Sequence, residues 1–375
     1  MGFKMSAERN QKIKDHITNL VYKNGDHTNY HSLLQYGLDV LPVLTEYLTA
    51  DLPINELEKV ERILKVVLRS HVNDNITGRE ARDLALFQKE VGFLFKYKSY
   101  TIKAASPLGY SIFTQEQGEG FSFQQHLTHK TEIFHILEVH QGGYVFICEY
   151  ADWVKFYDKE AFTKWLEGEP DDRYNQFRIE PKPGDLFVID KLKVVHTVIG
   201  CILEEFATVS TDMVDRLHDQ NAGKPIPPYY NRDYAKKIIR NIAYPTVNRH
   251  ISIKPKNRSI SEIIPVKIPG GFVTRLATKP VFASRYLVEP FSATECQQDE
   301  KCAISIYISS GKGNLIIGEN EEVKKLTPPT IKVDLGDLVM IPKGIYYAFV
   351  NEGPESLKIT EHKIPFSVAF KEDLF

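Results

Sequence analysis

The apolar residues of this chain change their period once, near Tyr100, and that change limits the folds open to it. Before it, Ile13, Ile17, Leu20 and Val21 recur at helical spacing, and Asn24-Gly25 stops the run. Leu57, Val60, Leu64, Val67 and Leu68 make a second stripe. A third begins at Thr77-Gly78 and carries Ala81, Leu84, Val91 and Leu94. The stretch from Leu33 to Leu48 is apolar enough for another helix. Such stripes mean buried faces, so this region is expected to be a small helical bundle. Packing is its simpler role, with a lid or a dimer face as the functional alternative.

After Tyr100 the runs are short and β-rich, as in YSIF at 110–113, FSFQQHL at 121–127 and YVFICEY at 144–150, with turn residues between them. This texture extends to about Thr208. Ala235, Ile238, Ile239 and Ile242 then predict a helix over 232–242. The polar, basic segment NRHISIKPKNRSISEI reads as a linker, and short strands resume from about 262. Segregated strands with regular turns predict two β-sandwich or barrel units after the helices, so the fold class is mainly β with α.

With 375 residues and a hydrophobic fraction of 42%, the chain can bury sizeable cores. A formal net charge of −2 gives no reason to expect nucleic acid as a partner. No apolar run is long enough to span a bilayer. The N-terminal MGFKMSAERNQK lacks a signal peptide's apolar core. Gly2 and Ser6 match only a loose myristoylation pattern that recurs by chance. Cys148, Cys201, Cys296 and Cys302 form no CxxC pair, and a reducing compartment suits them, so a cytoplasmic location is expected.

The chemistry concentrates in Phe121-Ser-Phe-Gln-Gln-His-Leu-Thr-His-Lys-Thr-Glu132. On a strand, Gln124 and His126 project to one face. If the chain turns near Thr128-His129, Glu132 returns to face them across a hairpin. Downstream, PKPGDLFVIDKLKVVHTV places a Pro-Gly-Asp turn and a buried-looking strand before His196. Two imidazoles, one carboxylate and one amide oxygen suit a divalent metal: Zn²⁺, Fe²⁺, Mn²⁺ or Ni²⁺. A neutral Gln in place of a third His favours Lewis-acid work. His129 is an alternative ligand.

This arrangement resembles the cupin superfamily and, within it, the type I mannose-6-phosphate isomerases. The matching residues are Gln124-Gln125-His126, Lys130-Thr131-Glu132, and Pro183-Gly184-Asp185 with His196. In EEFATVSTDMVDRLHDQN, Glu205, Ser210, Asp212, Arg216 and Asp219 follow the family's later segment, with one extra residue at Thr211. The resemblance covers about residues 105–245 well, the C-terminal part fairly, and the first hundred residues not at all. Together with the helical stripes read above, it implies three domains: 1–98 helical, 99–250 a metal-binding cupin with a trailing helix, and 251–375 a second cupin without metal. In that second unit, VDLGDLVMIPKGIYYAFVN carries Gly336, Pro342, Gly344 and Asn351 of the cupin pattern, but Tyr347 takes the place of the ligating His.

Three departures stand out. Only Leu127, Thr128 and His129 separate two motifs that the family parts with a long insertion. Asp190-Lys191-Leu192 replaces the usual Pro-x-Gly before the last His, with one extra residue. The helices precede the cupins instead of interrupting them.

The resemblance implies an aldose–ketose isomerase, most simply with Zn²⁺, acting on a sugar or sugar phosphate. Arg216 would be the cation near the reacting oxygens, and Lys130 a substrate or proton-relay group whose charged form a nearby metal would disfavour. Asp212 and Glu205 would bind substrate or orient Arg216 or a ligand. An ion pair of Arg216 with Asp212 or Asp219 is the purely structural alternative. Other readings are an iron-dependent oxygenase or lyase built on His126, Glu132 and His196, and a sugar-binding regulatory protein without turnover. A homodimer is the candidate assembly.

Overall fold

The computed structural model describes residues 6–23, 27–50, 52–71, 76–91, 102–105, 108–127, 130–190, 192–208, 214–218, 249–254, 257–261, 263–277, 281–326 and 330–365. The fold is mainly β with some α, and nearly all strand pairs are antiparallel.

The chain opens with α1 (Ala7–Tyr22), α2 (His27–Leu34), α3 (Val40–Thr49), α4 (Ile54–His71) and α5 (Gly78–Val91). The stripe Ile13, Ile17, Leu20 and Val21 is fully inside, as its spacing predicts. Ser6 caps α1 by accepting from the Arg9 amide at 3.2 Å. Thr77 and Glu80 form a capping box on α5: the Glu80 amide donates to Thr77 Oγ1 and the Thr77 amide to Glu80 Oε2. The stop at Asn24-Gly25 and Leu94 lie outside the described residues.

Helices α1–α4 share one core, which also takes in Leu108, Ala303, Met340 and Ile364. Ala81 and Ala85 of α5 pack instead among Ile304, Ile317 and Val333. A Cβ on Gly78 would come within 2.9 Å of Gly318 Cα, so only glycine lets α5 start this close to the downstream strands.

Strands β1 (Ile102–Ala105), β2 (Tyr110–Thr114), β3 (Phe123–His126), β4 (Glu132–Glu149), β5 (Arg178–Ile179), β6 (Asp185–Ile189), β7 (Val194–Ala207), β8 (Val214–His218), β9 (Arg249–Lys254) and β10 (Asn257–Ser261) form one sheet. Its order is β1-β2-β7-β4-β6-β9-β10; β3 bridges β7 and β8, and β5 joins β4. The segment read as a linker is therefore the hairpin β9–β10, and β9 runs parallel to β6. Alternating Ile and Ser in HISIKPKNRSIS carry the strand period beneath the charge that suggested a linker. The helix expected at 232–242 lies outside the described residues.

Three short helices, α6 (Tyr150–Phe156), α7 (Lys159–Leu166) and α8 (Asp172–Asn175), interrupt the strands where an unbroken β texture was expected. They press Trp153, Phe162, Trp165 and Tyr174 against Phe123 and Phe146, which anchors β3 from behind. Asp158, which accepts from the Ala161 amide at 2.8 Å, was the readable start signal.

The remaining strands are β11 (Val266–Ile268), β12 (Gly271–Ala277), β13 (Phe282–Val288), β14 (Ser292–Ala293), β15 (Cys302–Ser310), β16 (Lys312–Gly318), β17 (Thr330–Asp334), β18 (Leu338–Ile341), β19 (Tyr346–Asn351) and β20 (Leu357–Pro365). They make a six-stranded sheet, β11-β12-β13-β20-β15-β18, and a four-stranded sheet, β14-β19-β16-β17. Ile304, Ile306, Leu315, Ile317, Phe349 and Ile359 fill the space between the two. Among the described residues no helix is long and apolar enough to cross a membrane. All four cysteines are free thiols.

Candidate metal centre

Strand β3 ends with Gln124, Gln125 and His126, and its pairing fixes where they point. Gln124 lies opposite His196 of β7 on one side and opposite Arg216 of β8 on the other. Directly opposed residues share a face, and His126 follows Gln124 by two, so all four project to the same side of the sheet. Gln125 turns the other way and donates to Asp215 Oδ2 at 2.9 Å. Arg216 is exposed and Gln124 half-buried, so the guanidinium stands at the edge of a site whose floor is inside.

Glu132 starts β4, the neighbour of β7. His196 reaches the same place because Gly184, at φ 93°, turns the chain into β6, and a second tight turn leads into β7. In that second turn Lys193 takes φ 60°, the left-handed conformation usually left to glycine.

His126, Glu132 and His196 are all buried, and one ligand atom from each lies within 4.8 Å of the others. Glu132 Oε2 stands 3.1 Å from His126 Nε2 and 3.1 Å from His196 Nε2. The two imidazoles are nearly parallel, with centroids 4.9 Å apart. None of these three atoms makes a hydrogen bond. Buried polar atoms rarely go unpaired, so three at one point call for a shared partner. His196 Nδ1 is 3.0 Å from the Val194 carbonyl, to which it can only donate. Neutral imidazole then leaves a lone pair on Nε2, aimed at a carboxylate oxygen. A cation between them turns that repulsion into attraction. Metal–ligand bonds of about 2.1 Å imply ligand–ligand separations of about 3.0–3.4 Å, which matches the observed contacts. The donor set therefore fits a divalent metal.

Burial pushes the Glu132 carboxyl up, but the Lys130 ammonium beside it outweighs that and holds it well below the usual carboxylate range. Lys130 Nζ contacts Glu132 Oε1 and lies 3.8 Å from Glu205 Oε1. This ammonium between two carboxylates differs from the expected lysine governed by a metal's charge alone. Oε1 is taken by Lys130, and Oε2 is left for the imidazoles. His129, Ser210, Thr211, Asp212 and Asp219 lie outside the described residues.

A second charged group lies behind the site and was missed in the sequence. Glu204, fully buried on β7, accepts from Tyr110 Oη at 2.8 Å and Thr360 Oγ1 at 3.2 Å, contacts the Arg285 guanidinium, and lies 2.7 Å from His135 Nδ1. It ties β7 and β4 to β13 and β20. The signal was present as Glu204-Glu205, where strand alternation must send one carboxylate to each face. Tyr347 is buried; its hydroxyl donates to Glu361 and lies 3.3 Å from Gln297 Oε1.

The structure is similar to those of cupin proteins. A mannose 6-phosphate isomerase from Bacillus subtilis matches with 12% identity and a TM-score of 0.44, over 68% of this chain and 74% of the other. An oxalate decarboxylase from Lactobacillus farciminis, in complex with formate, matches with 15% identity and a TM-score of 0.45, over 73% and 86%. One from Bacillus subtilis matches with 14% identity and a TM-score of 0.44, over 72% and 75%. The sequence matches no family model and no curated protein.

Proposed function

We propose that this chain is a metal-dependent aldose–ketose isomerase acting on a sugar or sugar phosphate. In this reading residues 1–98 are a helical bundle, 99–250 a metal-binding cupin barrel and 251–375 a second cupin barrel without metal. The observation that carries it is the meeting of three unpaired ligand atoms from His126, Glu132 and His196, beside Lys130, with Arg216 opposite Gln124 on the strand next to β3. Gln124 joins as the fourth ligand because it shares their face.

A divalent metal there, Zn²⁺ first and Fe²⁺, Mn²⁺ or Ni²⁺ next, would supply Lewis-acid polarisation of a sugar carbonyl. Aldose–ketose isomerisation moves a proton between C1 and C2 through an enediolate. The side chains suit the two demands of that step. A guanidinium is a cation and not a base, so Arg216 would stabilise developing negative charge on oxygen. Lys130, held between Glu132 and Glu205, would take the proton from one carbon as the amine and return it to the other as the ammonium. Glu205 and Asp212 bind substrate hydroxyls. The aromatic wall of α6–α8 behind β3 fixes His126 against drift.

The convergent atoms also favour a second reading. Two imidazoles and one carboxylate, without Gln124, make a facial triad suited to an iron-dependent oxygenase or lyase of small acids. One experiment separates the two. The zinc-loaded protein is incubated with mannose, glucose and their 6-phosphates in heavy water, and deuterium at C2 is followed by NMR. Exchange that disappears in Arg216→Ala supports the isomerase. Absence of exchange, with oxygen uptake or release of carbon dioxide from small acids by the iron-loaded protein, supports the triad enzyme. Sugar binding without exchange leaves a regulatory protein.

A further inference from the structure

Strand β20 carries two sets of polar side chains on opposite faces. Thr360 and His362 turn toward the first sheet, where Thr360 meets Glu204 and the His362 ring lies 6.5 Å from that of Tyr110. Glu361 and Lys363 turn the other way, into a cavity of about 640 Å³ lined by the six-stranded sheet and the segment 294–301. That volume falls in the range of about 300–1,000 Å³ typical of small-molecule sites.

The floor of the cavity is built. Glu361 is fully buried, and both of its oxygens are held: Tyr286 Oη donates to Oε1 at 3.3 Å, and Tyr347 Oη donates to Oε2. Both hydroxyls also lie within reach of Gln297 Oε1, at 3.0 and 3.3 Å. Lys363 sits 3.4 Å from Glu361 and 3.6 Å from Asp299. Each tyrosine has one proton, spent inside this network, so the carboxylate, phenol and Gln297 carbonyl oxygens offer lone pairs inward, while the Gln297 amide and the Lys363 ammonium add N–H donors. A floor of acceptors with a few donors is matched by a molecule whose hydroxyls do both, as those of a polyol do. Val273, Phe282 and Pro365 supply apolar walls on which the C–H face of such a molecule can rest.

The mouth adds charge. Arg275 lines the cavity, is exposed, and makes no hydrogen bond or ion pair among the described residues. A guanidinium with its fork free is suited to a carboxylate or a phosphate. The floor is satisfied internally and is therefore rigid, while the rim holds an unused cation; the recognition surface is preorganised.

We propose that this cavity is a second ligand site, distinct from the His126–Glu132–His196 group, that takes a small polyhydroxylated anion. Gln297 and Glu361 accept from its hydroxyls, and Arg275 holds its charged end. The site stands whether or not the first one binds metal.

The test uses the full chain carrying His196→Ala, so that binding at the first site is disabled. D-gluconate, D-glucose 6-phosphate and neutral D-sorbitol are titrated by calorimetry and by ligand-observed NMR. At least one of the two anions should bind with one site per chain, about tenfold more tightly than sorbitol; which anion does so separates carboxylate from phosphate recognition. Adding Arg275→Ala, a change at an exposed position, should bring the anion down to the sorbitol level. Adding Glu361→Gln should weaken all three probes, and thermal unfolding identifies any loss of fold in that variant. Two results would overturn the proposal: no saturable binding of any probe, or anion binding that Arg275→Ala leaves unchanged.

Discussion

Glu132 and His196 come from strands that begin 62 positions apart, yet they bring two buried, unbonded acceptor atoms to 3.1 Å. Side-chain packing alone gives no reason for that contact, because each atom repels the other unless a positive charge lies between them. Everything proposed about the chemistry follows from this pair and from His126, which completes it.

Arg216 is expected to matter for turnover and not for metal. It lies in register with Gln124 but at the exposed edge. Arg216→Ala should retain full metal occupancy while kcat falls about 10²–10³-fold, the usual loss when a preorganised stabiliser of an oxyanion is removed. Kinetics of C2 exchange alongside elemental analysis provide the check.

Gln124 separates the two enzyme readings. As a fourth ligand, its removal in Gln124→Ala should weaken zinc binding about tenfold or more, measured by competition with a chelating dye. Unchanged affinity would favour the three-ligand site.

Glu204→Gln should destabilise the fold by about 3–5 kcal/mol in urea titrations, because the change removes the buried carboxylate that faces the Arg285 guanidinium. The acid branch has a definite sign. Burial pushes the Glu204 carboxyl up, but Arg285, His135 and Tyr110 bring it down to about 2. Between about 4.5 and 2 the unfolded chain binds the proton and the native chain does not. Its contribution is complete above about pH 4.5 and is lost as pH falls toward 2. Glu204→Gln removes that part of the slope.

His362 acts with the same sign over a higher pH range. Both ring nitrogens are buried without a partner, and burial brings the imidazole down to about 3. Below about pH 6.5 the unfolded chain gains a proton there that the folded chain refuses, so stability falls with pH from about 6.5 to 3. His362→Leu should flatten this slope and, at pH 7, be neutral or stabilising by about 1 kcal/mol, since it removes an unsatisfied buried polar group. Denaturation midpoints at pH 7.5, 6 and 5, compared with the parent, measure it.

Periodic features were the legible ones. The stripe of α1, the β texture after Tyr100 and the shared face of Gln124 and His126 depend on side-chain period alone, and the structure shows each. His196 was legible because a Pro-Gly-Asp turn announces β6, and a short turn after β6 leads into β7, which carries it. Helices α6–α8 were hidden because their aromatic residues, Trp153, Phe162 and Trp165, suit a strand as readily as a short helix. Strands β9 and β10 were hidden by their charge. Glu204-Glu205 signals one inward carboxylate, but its partners could not be read, since Arg285 and Thr360 reach Glu204 from strands 81 and 156 positions away. Partners of that kind become neighbours only through the packing of one sheet on another.

The central claim is that His126, Glu132 and His196 grip one divalent cation. Elemental analysis of the purified chain, with His196→Ala prepared in parallel, tests it directly. The account predicts close to one metal per parent chain and near-zero content in the variant, with both proteins giving the same far-ultraviolet circular dichroism. A His196→Ala protein that keeps its metal, or a parent that takes up none when zinc, iron and manganese are each supplied, would contradict it.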